Sequence, residues 1–197
     1  MLYVVRHGRT EANAAGLLLG RLDPDLDDLG ETQAEAVARA IGPVDRVVSS
    51  PLLRTRRTAE AFTHSHGSDG LPIEVDERWI EMDYGAFDGQ PVADVPRETW
   101  AMWLADLDWA PPGGESHRSL GSRVRPALDD LFEASRTTEI VVVTHVSPVK
   151  AALAWALGVG DEVAWRTFVA PASIMTIGAG PAGPSLRGFN DMAHLRA

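Results

Sequence analysis

The chain has 197 residues, 45% of them hydrophobic, a net charge of -10 and no cysteine. That length suits one domain and can bury a substantial core. The acidic balance argues against nucleic acid and anionic membrane surfaces as partners, and the missing cysteines exclude disulfide frameworks and thiolate metal sites.

The apolar start, Met1 to Val5, is too short for a signal-peptide core. The longest apolar stretch, Ala151 to Val159, is too short to cross a bilayer, so a soluble, cytoplasmic protein is expected. A first strand is expected at Leu2 to Val5, ending in Arg6-His7-Gly8-Arg9-Thr10 with Asn13 close behind. The pattern from Asp28 to Ile41 predicts a helix stopped by Gly42-Pro43. Arg46 to Val48 reads as a second strand. Ser50-Pro51 then predicts a helix start, with an N-cap serine and a proline in the first position. This helix should reach Phe62. His64 to Pro72 is turn-rich, and its His64 and His66 read as solvated side chains rather than metal ligands.

Between Trp79 and Ser116, tryptophans and Pro/Gly pairs alternate with carboxylates, which predicts a covering segment with short helices. Trp79, Trp100, Trp103 and Trp109 are expected to pack within it. Ser116 to Ser135 should be helical, with a bend at Pro126. Ile140 to Val143 is a third buried strand, followed by a helix from after His145 to Gly158. Two further strands are expected at Ala172 to Ile177 and Ser185 to Phe189. β-Branched, nearly continuous strands alternating with helices predict parallel pairing covered on both faces. The fold class is therefore α/β: a three-layer α/β/α sandwich with a mostly parallel central sheet. Residues 1–197 are expected to form one domain, with 79–116 covering the site.

In open α/β sheets, ligands bind beyond the carboxyl ends of the strands. Arg6, His7 and Gly8 stand at the end of the first strand, and His145 ends the third. Arg54 lies one turn inside the helix after the second. Glycine admits close backbone approach, arginine forks two oxygens, and Asn13 can donate a further hydrogen bond. One edge of the sheet thus gathers groups suited to an oxyanion. Asp23, Asp25, Asp27 and Asp28 do not form a calcium loop, because Asp28 and Ala34 hold the positions that need glycine and glutamate.

Arg6-His7-Gly8 with Thr10 and Asn13 resembles the signature of the histidine phosphatase superfamily, also called phosphoglycerate mutase-like. Later blocks resemble it in the same order. They are Gly20-Arg21-Leu22-Asp23 with Leu26, Gly30, Gln33 and Ala34, then Ser49 to Ala59, Glu81 to Gly89, Gly113 to Ser116, and Val143-Thr144-His145. The resemblance covers nearly the whole chain and implies roles. His7 is the nucleophile, and Glu81 is the general acid and then the base. Arg6, Arg54 and His145 bind the transferred phosphoryl group, with Gly8, Asn13, Arg21 and the amide of Val146 assisting. Asp83 and Asp88 are the alternative acids.

Such a site needs no metal and no cofactor, since a cationic pocket and an in-line imidazole supply what phosphoryl transfer requires. The implied partner is a small phosphorylated metabolite, and a homodimer is left open. The implied activity is phosphate ester hydrolysis through a phosphohistidine. Phosphoglycerate mutase activity is the alternative, and a catalytically silent phosphate-ligand binding module is the alternative of another class. The compact stretch from Glu81 to His145 favours hydrolysis, because the resembling mutases tend to carry a longer one. Two departures bear on pocket shape: Arg9, where the family is often acidic, and Val146-Ser147-Pro148, where it usually has Gly-Gly. Glu115-Ser116 either contacts substrate or caps the next helix.

Overall fold

Alternate residues of a strand face opposite sides of a sheet, so a strand that is apolar throughout must be covered twice. The computed structural model describes residues 1–64 and 70–196. Four strands run parallel: β1 (Leu2–Arg6), β2 (Arg46–Ser49), β3 (Ile73–Val75) and β4 (Ile140–Thr144). β5 (Ile174–Gly180) is antiparallel to β1, and β6 (Gly183–Asp191) is antiparallel to β5. Among the described residues these form one six-stranded sheet in the order β3-β2-β4-β1-β5-β6. β3, three residues long, is an addition to the expected strands.

The helices are α1 (Glu11–Ala14), α2 (Asp28–Ile41), α3 (Leu53–His64), α4 (Arg97–Ala105), α5 (His117–Ala134) and α6 (Val146–Leu157). Leu2, Val4, Val48, Ile140 and Val142 pack against Leu120, Val124 and Leu128 of α5 and Val149 and Leu153 of α6. The intervening strand residues Val5, Val47, Val141 and Val143 pack against Val37 and Ala38 of α2 and Ala59 and Phe62 of α3. The result is the α/β/α sandwich the strand composition implies. Short 3-10 turns at Glu77–Trp79, Gly85–Phe87 and Val92–Asp94 precede α4, and α5 continues through Pro126.

Local caps set most boundaries. Asp27 caps α2 by accepting from the Gly30 amide at 2.8 Å, and Gly158, at φ 64°, ends α6. His145 is the N-cap residue of α6, so β4 passes into helix across a single site residue. α3 corrects the expectation from Ser50-Pro51, since it begins two residues later. The Ser50 hydroxyl is turned to His145, and Asp23, from a distant loop, takes the Leu53 amide at 2.6 Å.

From β1 the chain leaves to α2 on one face, whereas from neighbouring β4 it leaves to α6 on the other. Divergence between adjacent parallel strands opens a crevice at their carboxyl ends. One wall of it is the loop after β1, which lies directly on the first turn of α2. A Cβ on Gly8 would strike the Gly30 carbonyl, and one on Gly30 would strike the Arg9 carbonyl. Main chain cannot yield as a flexible side chain does. Gly30→Ala is therefore expected to lower unfolding free energy in urea by about 2 kcal/mol or more, the scale of overpacking. Unchanged stability would contradict this close approach.

Candidate active site

His7 follows β1, and its amide donates to the Thr144 carbonyl of β4 at 2.9 Å. Its ring Nδ1 lies 2.7 Å from the Gly8 carbonyl oxygen. A carbonyl only accepts, so Nδ1 carries the proton and Nε2 presents its lone pair. The side chain is buried. Burial, followed by the charges of Arg54 and Arg6, holds its pKa well below the usual histidine value. The neutral form of the ring is thereby favoured. His145 stands beside it, with ring centroids 5.2 Å apart. His145 Nε2 pairs with the Ser50 hydroxyl at 2.7 Å, while its buried Nδ1 has no partner.

Arg6 and Arg54 supply the positive charge. Arg6 donates to the Val169 carbonyl at 2.7 Å, and Arg54 donates to the Leu22 and Gly20 carbonyls at 2.6 and 2.8 Å. The loop bearing those two carbonyls is itself fixed by Asp88, which accepts from the amides of Gly20, Arg21 and Leu22 at 2.7, 2.7 and 3.0 Å. Neither arginine forms an ion pair with a carboxylate among the described residues. Burial depresses Arg6 to about 10, with Arg54 adding to the effect and Glu81 opposing it. The Nε atoms of both arginines are buried without a partner. Unpaired buried donors are uncommon in folded proteins and call for an explanation.

Glu81 is buried, 3% exposed. Its Oε1 accepts from the Met82 amide at 2.7 Å and from the Ser147 amide of α6 at 3.2 Å. The backbone beneath it is held from α5. Arg123 donates to the Arg78 and Glu81 carbonyls at 2.7 and 3.2 Å and forks Glu115 through two bonds of 2.8 Å. Arg123 was not among the expected site residues. In sequence it is one more arginine on a helix, and only the tertiary structure shows what it holds. Asp83 accepts from the Gly85 amide at 2.8 Å, so both alternative acids are engaged by backbone in turns.

The remaining expected residues divide. The Gly8 amide donates to the Thr58 hydroxyl at 3.0 Å. Asn13 Oδ1 accepts from the amide and hydroxyl of Thr10 at 3.2 and 3.1 Å, a capping arrangement for α1. Arg21 lies 3.6 Å from Glu115. Val146 opens α6. Arg9, where the family is often acidic, pairs with the helix cap Asp27 at 2.8 Å. Ser116 caps α5 by accepting from the Ser119 amide at 3.1 Å, and Glu115 belongs to Arg123. Among the described residues no group of three or more His, Asp or Glu side chains could hold a metal. His66 lies outside the described residues.

A buried imidazole with Nε2 unprotonated, a second histidine, two arginines and a carboxyl group at the carboxyl ends of parallel strands suit phosphoryl transfer. The family model for the histidine phosphatase superfamily (branch 1) matches residues 2–192, and the chain belongs to that superfamily. A putative phosphoserine phosphatase 2 of Hydrogenobacter thermophilus is 31% identical over 201 residues, covering 99% of this chain and 97% of that protein. A bifunctional protein of Mycobacterium tuberculosis is 34% identical over 179 residues, covering 88% of this chain, which spans 48% of that relative's length. The crystal structure of a phosphoserine phosphatase from Entamoeba histolytica, in complex with 3-phosphoglyceric acid, superposes with a TM-score of 0.87. It is 26% identical, and 98% of each chain is covered.

The buried histidines tie stability to pH. His7 and His145 are held well below the usual value, and burial, followed by the charge of Lys150, lowers His117 to about 4. Unfolded histidines take protons near 6.5. Below that pH the unfolded chain binds more protons than the folded one, so stability falls as pH drops. His117 alone should remove about 3 kcal/mol by pH 4. Urea unfolding at pH 7.5 and at pH 5 should show the decline, and His117→Phe should lessen it. Equal stability at both pH values would contradict the assignment.

Proposed function

We propose that this protein hydrolyses small phosphate monoesters through a phosphohistidine on His7, with no metal. The observation that carries the proposal is the fixed tautomer of His7, which leaves Nε2 free among Arg6, Arg54 and His145. In the first step Nε2 attacks phosphorus in line. A P–N bond forms, the P–O ester bond breaks, and the leaving oxygen takes a proton from Glu81. The positive charge that develops on the ring is met by the Gly8 carbonyl at Nδ1. In the second step Glu81 removes a proton from water, the oxygen attacks phosphorus, the P–N bond breaks, and free phosphate leaves.

Throughout, Arg6, Arg54, His145 and the Val146 amide at the start of α6 face the phosphoryl oxygens. Fixed donors aimed at that charge are the chief means of lowering the barrier to phosphoryl transfer. The unpaired Nε atoms of both arginines and Nδ1 of His145 support an anion as the missing partner. The match to phosphoserine phosphatases supports small monoesters as substrates. Residues 79–116, with the whole chain read as one domain, are proposed as the cover over the site. Asn13 and Arg21 are proposed as auxiliary contacts. Hydrolysis is favoured over isomerisation because a mutase must keep its phosphoenzyme dry beneath a closing lid, and the stretch from Glu81 to His145 is compact. A silent binding module would not need a proton donor fixed by two amides.

Purified protein should release phosphate from p-nitrophenyl phosphate in the presence of EDTA, and from 3-phosphoglycerate faster than it isomerises it. His7→Ala should lose at least about a thousandfold in kcat, the scale for removing a nucleophile. Glu81→Gln should lose about a hundredfold on an alkyl phosphate and far less on p-nitrophenyl phosphate, whose leaving group hardly needs a proton. Equal losses on the two esters would give Glu81 another role. Loss of turnover in EDTA that one metal restores would overturn the metal-free mechanism.

A further inference from the structure

A cavity of about 130 Å³ opens beside Glu81. Its floor includes Met82, next in chain to Glu81, and Ser147, whose amide donates to that carboxyl at 3.2 Å. Its walls include Tyr84, Trp100, Trp103 and Trp165, and His117 and Lys150 also line it. The tryptophans touch one another, Trp100 and Trp103 tilted with ring centroids 5.4 Å apart, and Trp100 and Trp165 edge to face at 6.5 Å. The proton donor faces the leaving oxygen, so a cavity beside the donor is where the rest of the leaving alcohol must go. Its size is close to the roughly 150 Å³ that admits one benzene ring.

Lys150 is the sole lysine of the chain. It projects from α6 into the cavity and makes no hydrogen bond or ion pair among the described residues. Burial lowers its pKa, while the Glu81 charge attracts the ammonium and that of Arg6 opposes it. His117, across the cavity, is held neutral by burial and by Lys150 itself. Asp161, near His117, is already paired with Arg125. An aromatic enclosure alone would suit a cationic group. A resident ammonium makes this one unsuitable for a cation and leaves a charge in want of an anion.

We propose that this cavity is the leaving-group pocket and that it selects phosphate monoesters of an apolar alcohol, one ring in size, bearing a carboxylate that pairs with Lys150. The proposal rests on the phosphatase reading for the position of the ester. It differs from that reading in assigning the alcohol half of the substrate. The Trp100 and Trp165 rings flank the apolar body, and Lys150 receives its charged end. Val146 and Ser147, in place of two glycines, help to line this cavity, so the departure from the family pattern falls where the alcohol is chosen.

The test separates binding from turnover. Binding of three non-hydrolysable phosphonates to the whole protein would be measured by calorimetry: benzylphosphonate, its 4-carboxyl derivative and its 4-trimethylammonium derivative. The carboxyl compound should bind about tenfold more tightly than the parent, the scale of one charge-assisted bond, and the trimethylammonium compound more weakly than either. In Lys150→Met the ratio between carboxyl and parent compounds should collapse to about one, and Lys150→Arg should restore part of it. Circular dichroism checks that each variant is folded. Equal binding of carboxyl and parent compounds in the unmodified protein, or a preference that survives Lys150→Met, would overturn the proposal. Tighter binding of the trimethylammonium compound would mean that the enclosure selects cations instead. The preference found together with failure to cleave the matching phosphate esters would sink the phosphatase reading, and with it the leaving-group role, and leave only the pairing of Lys150 with a carboxylate ligand standing.

Discussion

Arg6 and Arg54 are buried at the carboxyl edge of the sheet with their guanidinium groups on main-chain carbonyls and, among the described residues, no carboxylate within ion-pair distance. Buried charge is strongly unfavourable unless it is compensated, and carbonyl dipoles compensate it only in part. Burial pulls both pKa values down, opposed first by Glu81 and, at Arg54, also by Asp23 and Asp88. A pocket in this condition is held together by the rest of the fold and is ready for a dianion. The neighbouring histidines respond to the same field. Burial, and after it the nearby positive charges, holds both pKa values well below the usual histidine value.

Several distant parts of the molecule serve that one arrangement. Asp88 gathers three amides and so presents the Gly20 and Leu22 carbonyls to Arg54. Asp23, from the same loop, caps α3, the helix that carries Arg54. Arg123 ties α5 to the main chain at Glu81, and α6 contributes the Ser147 amide to the carboxyl itself. β1 and β4 are parallel neighbours in register at Arg6 and Thr144, so the residues that follow, His7 and His145, emerge side by side. Divergence of α2 and α6 to opposite faces keeps the space above them open.

What could be read from the sequence follows from how local each signal is. β1, β2 and β4 declare themselves through β-branched runs, and α2 and α6 through their helical patterns and glycine stops. Their site residues, Arg6, His7, Arg54 and His145, come together because strand ends place them. β3 has only three residues after a turn and carries too little pattern. α3 begins later than Ser50-Pro51 suggests because its cap comes from Asp23, thirty residues earlier in the chain, while Ser50 answers to His145. Asn13 and Arg9 read as pocket residues, yet their recorded bonds go to Thr10 and Asp27. Arg123 has no local mark at all. The tryptophans read as packing, and Trp79 and Trp103 are buried, but Trp100 and Trp165 also line the cavity beside Glu81.

The central claim is that the free Nε2 of His7 becomes covalently phosphorylated. Rapid quenching of a reaction with a ³²P-labelled ester, followed by peptide mapping, tests it most directly. The account predicts an acid-labile, base-stable phosphate on the peptide that contains His7, formed within one turnover and lost at the rate of steady-state hydrolysis. Label on a serine or aspartate, or turnover with no labelled protein at any quench time under conditions where breakdown limits the rate, would contradict it.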